Sequence, residues 1–189
     1  MSDQTAAEAP AIATLRAPTD ASIDPKTGEP RRPIAVWAAS VLLHLGVALV
    51  MAGLLWAFWL SIDTFEQAAW LHGVVPTEPG ALLRVLMVTA LFTIAMLIAV
   101  ASVIAAHYAW HGYGWTRRAG LIAVAVSLLA LMINPLATWG ILPIATGAGL
   151  LWLPSVRGFF QRWHARRHPE PPPVTEASGV FYGPLPRYR

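Results

Sequence analysis

Residues 34–60 read IAVWAASVLLHLGVALVMAGLLWAFWL, with no aspartate, glutamate, lysine or arginine. A helix needs about 20 apolar residues to cross the hydrocarbon core of a bilayer, so this run is long enough to span one. It is too long, and too far from residue 1, for the short apolar region of a signal peptide, and no small-residue cleavage site follows it. An uncleaved transmembrane helix is expected.

Three further apolar runs lie C-terminal to it, at about 82–106, 117–133 and 136–154. Pro76, Pro79 and Gly80 close a polar loop (61–81) before the second run. His107, His111, Gly112, Gly114, Arg117 and Arg118 form a polar hinge after it. Asn134-Pro135 ends the third run, because proline disfavours helical geometry in the residue before it. The fourth run begins at once, so the third and fourth form a tight hairpin. The expected fold is an all-α integral membrane protein of four transmembrane helices, with a membrane domain over 33–155. Disordered cytoplasmic tails flank it at 1–32, rich in proline and poor in large apolar side chains, and at 169–189, where prolines mix with Phe181, Tyr182 and Tyr188 in a solvated tail, with docking on a partner in an extended conformation as the sharper use.

Composition agrees: 56% hydrophobic and 12% charged residues, with a mean hydropathy of +0.54, depart far from a soluble chain, in which about a quarter of the residues are charged. The 189 residues leave no length for a separate soluble domain beside the bundle and its tails. Cysteine is absent, which removes disulfides, thiolate metal ligands and thiol redox chemistry. The basic pI of about 9.8 arises from arginines flanking apolar runs, so an anionic membrane surface is the expected partner and nucleic acid is not.

Arginine placement orients the chain. Arg31, Arg32, Arg117, Arg118, Arg157, Arg162, Arg166 and Arg167 all fall on one side of a four-span layout, and Arg84 alone on the other. The positive-inside rule then puts both termini in the cytoplasm and the acidic loop 61–81 outside. Trp37, Trp56, Trp59, Trp110, Trp115 and Trp152 stand near span ends, where indoles favour the interface. Twelve arginines to one lysine, with abundant alanine and proline, suggest a GC-rich bacterial coding sequence and hence the plasma (inner) membrane.

Residues 156–168 set Phe159, Phe160 and Trp163 among Arg157, Arg162, Arg166 and Arg167. This is expected to be a short basic interfacial helix, its rings in the acyl boundary and its guanidinium groups on lipid headgroups. Frayed stop-transfer residues are the plainer alternative.

Helices in lipid associate through close packing at small residues. Ala39, Gly46 and Gly53 repeat every seven in the first run, and Ser102 continues an alanine stripe in the second. Gly120, Ser127 and Asn134 lie on one face of the third, while Gly140 and Gly147 open the fourth. Contact among the four helices is the plain use of these stripes; contact with another subunit is the sharper one.

An ionisable residue at membrane depth is a functional candidate, and His44, about 16 Å into the first run at 1.5 Å per residue, is the one here. Ser40 stands one turn away. A hydrogen bond to a neighbouring carbonyl or hydroxyl is the ordinary use of such an imidazole; proton transfer, quinone contact or metal ligation are the functional ones. Haem ligation pairing His44 with His107 or His111 is disfavoured by a depth gap expected to be at least about 10 Å. His107 and His111, four apart, are weak metal candidates with His164 or His168 as a third ligand. No carboxylate or lysine lies mid-span, and no serine-hydrolase, zinc-protease or phosphate-loop motif is found.

The expected function is a non-catalytic accessory or scaffolding subunit of a larger membrane complex, with other membrane subunits or a second copy as partners and no cofactor. A small oligomeric transporter or channel, using Ser40, His44, Asn134 and a kink at Pro143, is the alternative. A redox or metal-binding protein using His44 or His107/His111 comes third.

Overall fold

The computed structural model describes residues 23–24 and 26–169; most of both expected disordered tails lies outside these residues. Among the described residues all regular secondary structure is helical, apart from one isolated bridge between Ile23 and Pro30. That bridge closes a small turn in which the Gly28 amide donates to the Asp24 carbonyl at 2.8 Å, so the segment just before the first helix is folded.

Helix α1 spans Ile34–Leu60, starting after Pro33, which holds extended backbone at its N-cap. A short α2 (Phe65–Ala68) interrupts the loop, and α3 runs Leu82–Trp110. The expected hinge at 107–118 is therefore shorter, because the second run stays helical for four residues past Ala106. It ends where Gly112, at φ +75°, takes the left-handed position. The Gly112 amide then donates to the Ala109 carbonyl and the Tyr113 amide to the Tyr108 carbonyl, which is the Schellman arrangement.

The third run is α-helical only over α4 (Thr116–Ser127) and tightens into a 3₁₀ segment at Leu128–Met132. It is not α-helical up to 133. The Ser127 hydroxyl donates to the Val124 carbonyl where the change begins, and 3₁₀ geometry is common at helix C-termini. The fourth run is likewise divided, into α5 (Pro135–Trp139) and α6 (Ile141–Leu150), and stops four residues short of the expected 154. Pro143 explains the break at Gly140: it has no N–H to give the Trp139 carbonyl, and its ring crowds that carbonyl. Helix α7 (Pro154–Arg167) follows, bent 63° from the α5–α6 segment.

Among the described residues two helices, α1 and α3, are long and apolar enough to cross a membrane, and α5–α6 with α7 forms a bent third candidate. The chain is thus an all-helical membrane protein. Helix α1 packs on α3 and on α5–α6, α3 packs on α4, and α4 on α6, which closes a circuit of four. Leu43, Val50, Leu54, Leu91, Ile98, Ile133 and Ile144 are buried along its centre.

The glycines permit the close approach of α1 to the antiparallel α5–α6. A Cβ on Gly46 would come within 2.8 Å of the Gly140 carbonyl oxygen, and one on Gly53 within 2.6 Å of the Ala137 amide. Ala39 meets Gly147 at the far end of the same seam. All three small residues of the heptad repeat in α1 are therefore used inside the chain.

Candidate functional site at the basic end of the bundle

The eight clustered arginines converge on one end, formed by the start of α1, the α3–α4 turn and α7. Arg32 stacks over Trp110 with its Cζ 4.8 Å from the ring centroid. Arg117 donates from Nε to the Leu151 carbonyl at 3.1 Å. Arg167 donates to the His111 and Gly112 carbonyls and stacks on Tyr113 at 3.9 Å. Arg166 reaches the Gly28 carbonyl. These arginines bind carbonyls exposed at helix ends and turns, which lack partners within their own helix.

The rings of α7 turn inward. Phe159 and Phe160 are buried with Val36, Ala39, Ala109 and Leu151, and Trp163 packs beside them. The expectation that they enter the acyl boundary is corrected here: the 63° bend folds α7 back under the bundle, and the bare Cα of Gly112 gives Trp163 a seat. Of the four arginines expected at lipid headgroups, Arg166 and Arg167 are engaged within the protein, Arg162 has a buried Nε without a hydrogen-bond partner, and Arg157 is exposed.

Between the start of α4 and the outer face of α7 lies a cavity of about 350 Å³, lined by Gly114, Arg117, Arg157, Phe160, Gln161 and His164. Arg117, wedged between Trp152 and Phe160 with ring centroids 5.7 and 5.6 Å away, has one terminal nitrogen, Nη2, buried with no hydrogen-bond partner. The sequence marked Arg117 only as a topological charge; the spacing Arg157, Gln161, His164 (i, i+4, i+7), which puts all three on one helix face, was the readable signal for this site.

A second concavity, of about 450 Å³, lies between α1 and α3 and is lined by Ser40, Val41, His44, Val103, His107 and Trp110. His44 is exposed and donates from Nδ1 to the Ser40 carbonyl at 2.7 Å. Ser40 in turn donates to the Ala106 carbonyl across to α3. That pairing sets the relative depth of the helices. His44 stands one turn to one side of it and His107 one residue to the other, so about 8 Å of rise separates them, less than the expected 10 Å because α3 remains helical through His107.

His107 and His111 are together, with ring centroids 4.4 Å apart, and the His111 Nδ1–H donates to the His107 carbonyl at 2.8 Å. The expected third ligands, His164 and His168, stack on each other at 4.5 Å. Among the described residues no group of three or more His, Cys, Asp or Glu side chains is arranged to hold a metal ion.

The remaining polar candidates serve packing. Asn134 is buried at the opposite end, where its Oδ1 accepts from the Ala137 amide at 2.9 Å and its Nδ2 donates to the Gly53 carbonyl at 2.7 Å. Ser102 is buried with its hydroxyl unpaired. Ser127 bonds its own helix, Gly120 meets Ala148, and Pro143 is buried in the first turn of α6. At the loop end the amides of Trp70 and Leu71 donate to the Ile133 and Met132 carbonyls at 2.9 and 3.0 Å. His72 is buried there against Phe65, ring centroids 4.1 Å apart and nearly parallel. Its burial lowers its proton affinity, the Phe65 carbonyl bond opposes this, and the Arg84 charge adds to the lowering.

Comparison with protein-family models, with curated proteins and with solved structures finds no match to this chain.

Proposed function

We propose that the chain crosses a bacterial plasma membrane four times, with both termini in the cytoplasm, and serves as a non-catalytic accessory or scaffolding subunit of a larger membrane complex. The closed packing of α1, α3, α4 and α5–α6 supports four spans. Twelve α-helical residues and five 3₁₀ residues in the third run reach about 28 Å, and sixteen in the fourth about 24 Å. Modest bilayer thinning accommodates both lengths. Taking α7 as part of a span would place Arg157, Arg162, Arg166 and Arg167 in hydrocarbon, a large cost.

The observation that carries the subunit reading is that the polar residues a transport route would use share no path. Ser40 is bonded to α3 near the basic end, Asn134 is bonded to α1 at the loop end, His44 faces outward and Pro143 is buried. Between them the interior is filled by Leu, Ile, Val and Ala side chains.

His44 also supports a partner at this face. Because Nδ1 gives its proton to the Ser40 carbonyl, Nε2 is the ring position left to face a partner. The exposed Thr89, Thr93 and Thr146, by contrast, bond carbonyls of their own helices. A partner helix bringing a hydroxyl or amide donor into the α1–α3 groove satisfies His44. Mild detergent extraction of the tagged full chain, followed by mass and partner identification, tests this. A fixed set of other membrane subunits, lost on His44→Leu, is expected; a pure homo-oligomer contradicts it and favours the oligomeric transporter.

A further inference from the structure

We infer that the cavity between α4 and α7 is a discrete binding site for a phosphate group, filled by the headgroup of an anionic phospholipid. It is lined by Arg117, Arg157, Gln161 and His164 over a floor of Gly114 and Phe160. Its volume of about 350 Å³ lies at the lower end of the range of about 300–1,000 Å³ for ligand sites, enough for a headgroup and not for a folded segment.

The chemistry follows from what is left unpaired. Arg117 is held in place by its Nε bond to the Leu151 carbonyl and by the rings of Trp152 and Phe160, yet its Nη2 is buried without an acceptor. A buried, orphaned guanidinium nitrogen is costly, and an oxyanion in the cavity that Arg117 lines relieves that cost by a short, charge-assisted bond once the guanidinium turns toward it. Arg157 and His164 face the same space from α7, and Gln161 between them offers amide donors. Among the described residues the one ion pair is Arg32–Glu29, so no described carboxylate neutralises Arg117 or Arg157. Guanidinium groups match phosphate geometry well.

The surroundings favour a lipid as the source of that phosphate. Trp152 and Leu153, at the corner where α6 gives way to α7, are exposed and provide apolar surface for acyl chains beside the basic cavity. A soluble phosphoester has the same headgroup chemistry and no use for that surface. The inference does not depend on the subunit role.

The test is native mass spectrometry of the delipidated full chain in neutral detergent. It is offered dioleoyl phosphatidylglycerol, dioleoylglycerol (the same chains without phosphate) or inorganic phosphate. One phosphatidylglycerol per chain is expected, with no retention of dioleoylglycerol. Arg157→Gln and Arg117→Gln should each weaken binding roughly tenfold, the scale of one charge-assisted hydrogen bond. Arg118→Gln, at the same end and outside the cavity, should leave binding unchanged. Arg117 also bonds the α6 end, so Arg157→Gln, on an exposed side chain, separates lost binding from lost fold; Arg157→Lys should restore part of it. Saturable inorganic phosphate binding abolished by Arg157→Gln, with no lipid retained, would keep the phosphate site and assign it to a soluble phosphoester. Equal weakening by Arg118→Gln, or full retention in the Arg117→Gln/Arg157→Gln double variant, overturns the inference.

Discussion

Asn134 joins two helices by one side chain: its amide donates to the Gly53 carbonyl on α1 at 2.7 Å while its oxygen caps α5 at the Ala137 amide, 2.9 Å away. Both bonds are buried, in a protein whose helices gain nothing from hiding apolar surface from water. Asn134→Ser keeps the capping oxygen and loses the reach to Gly53; Asn134→Ala loses both. We expect Asn134→Ala to cost about 2–3 kcal/mol and Asn134→Ser about half that. Thermal melts followed by circular dichroism in detergent would show the order, and equal melting of both variants and the parent would remove Asn134 from the account.

The seam at Gly46 makes a second prediction. A side chain there meets the Gly140 carbonyl oxygen at 2.8 Å, whereas one on Gly149 meets nothing within 4 Å. Gly46→Val should destabilise the bundle by about 1–3 kcal/mol through overpacking, and Gly149→Ala should be silent or slightly stabilising. Reversal of that order in the same melts would mean that α1 and α6 do not meet along this seam.

His72 makes the docking of the loop depend on pH. Burial lowers its proton affinity below that of an ordinary histidine, so in the docked loop it stays neutral at pH values where the undocked loop already binds a proton. Docking is therefore unaffected above the unperturbed pKa of about 6.5 and weakens as pH falls below it, by at most about 1.4 kcal/mol per pH unit, until His72 protonates in place. The protection of the Trp70 and Leu71 amides, which are bonded to the Ile133 and Met132 carbonyls, should fall between pH 7.5 and 5.5, so that their exchange slows less than the intrinsic rate does, and His72→Leu should abolish the difference. Pure intrinsic pH dependence in the parent chain would sink the idea.

Much of this architecture was legible because hydropathy and breakers act locally. Ile34–Leu60 and the start of α3 at Leu82 follow directly from apolar runs bounded by Pro33 and by Pro79-Gly80, and the heptad of Ala39, Gly46 and Gly53 marked the face that α5–α6 fills. Helix ends were less legible. Gly112 stops α3 by its own backbone geometry, five residues beyond the point where polar residues begin. Facing was least legible: the sequence around Phe159, Phe160 and Trp163 is equally compatible with rings in lipid or in protein, and only the bend at Pro154 decides. The cavity between α4 and α7 was legible only in part: Arg157, Gln161 and His164 share one helix face, but Arg117 and Arg157 are forty residues apart and become neighbours only when α7 folds back.

The most direct test of the four-span topology uses the absence of cysteine from the chain. Single variants Glu78→Cys in the loop, Tyr113→Cys in the α3–α4 turn and His168→Cys at the end of α7 are made in intact bacterial cells and treated with a membrane-impermeant maleimide. Four spans with both termini inside give labelling of Glu78→Cys alone, with Tyr113→Cys and His168→Cys reacting only after the cells are opened. External labelling of His168→Cys with Tyr113→Cys still protected would mean three spans, and would contradict the account.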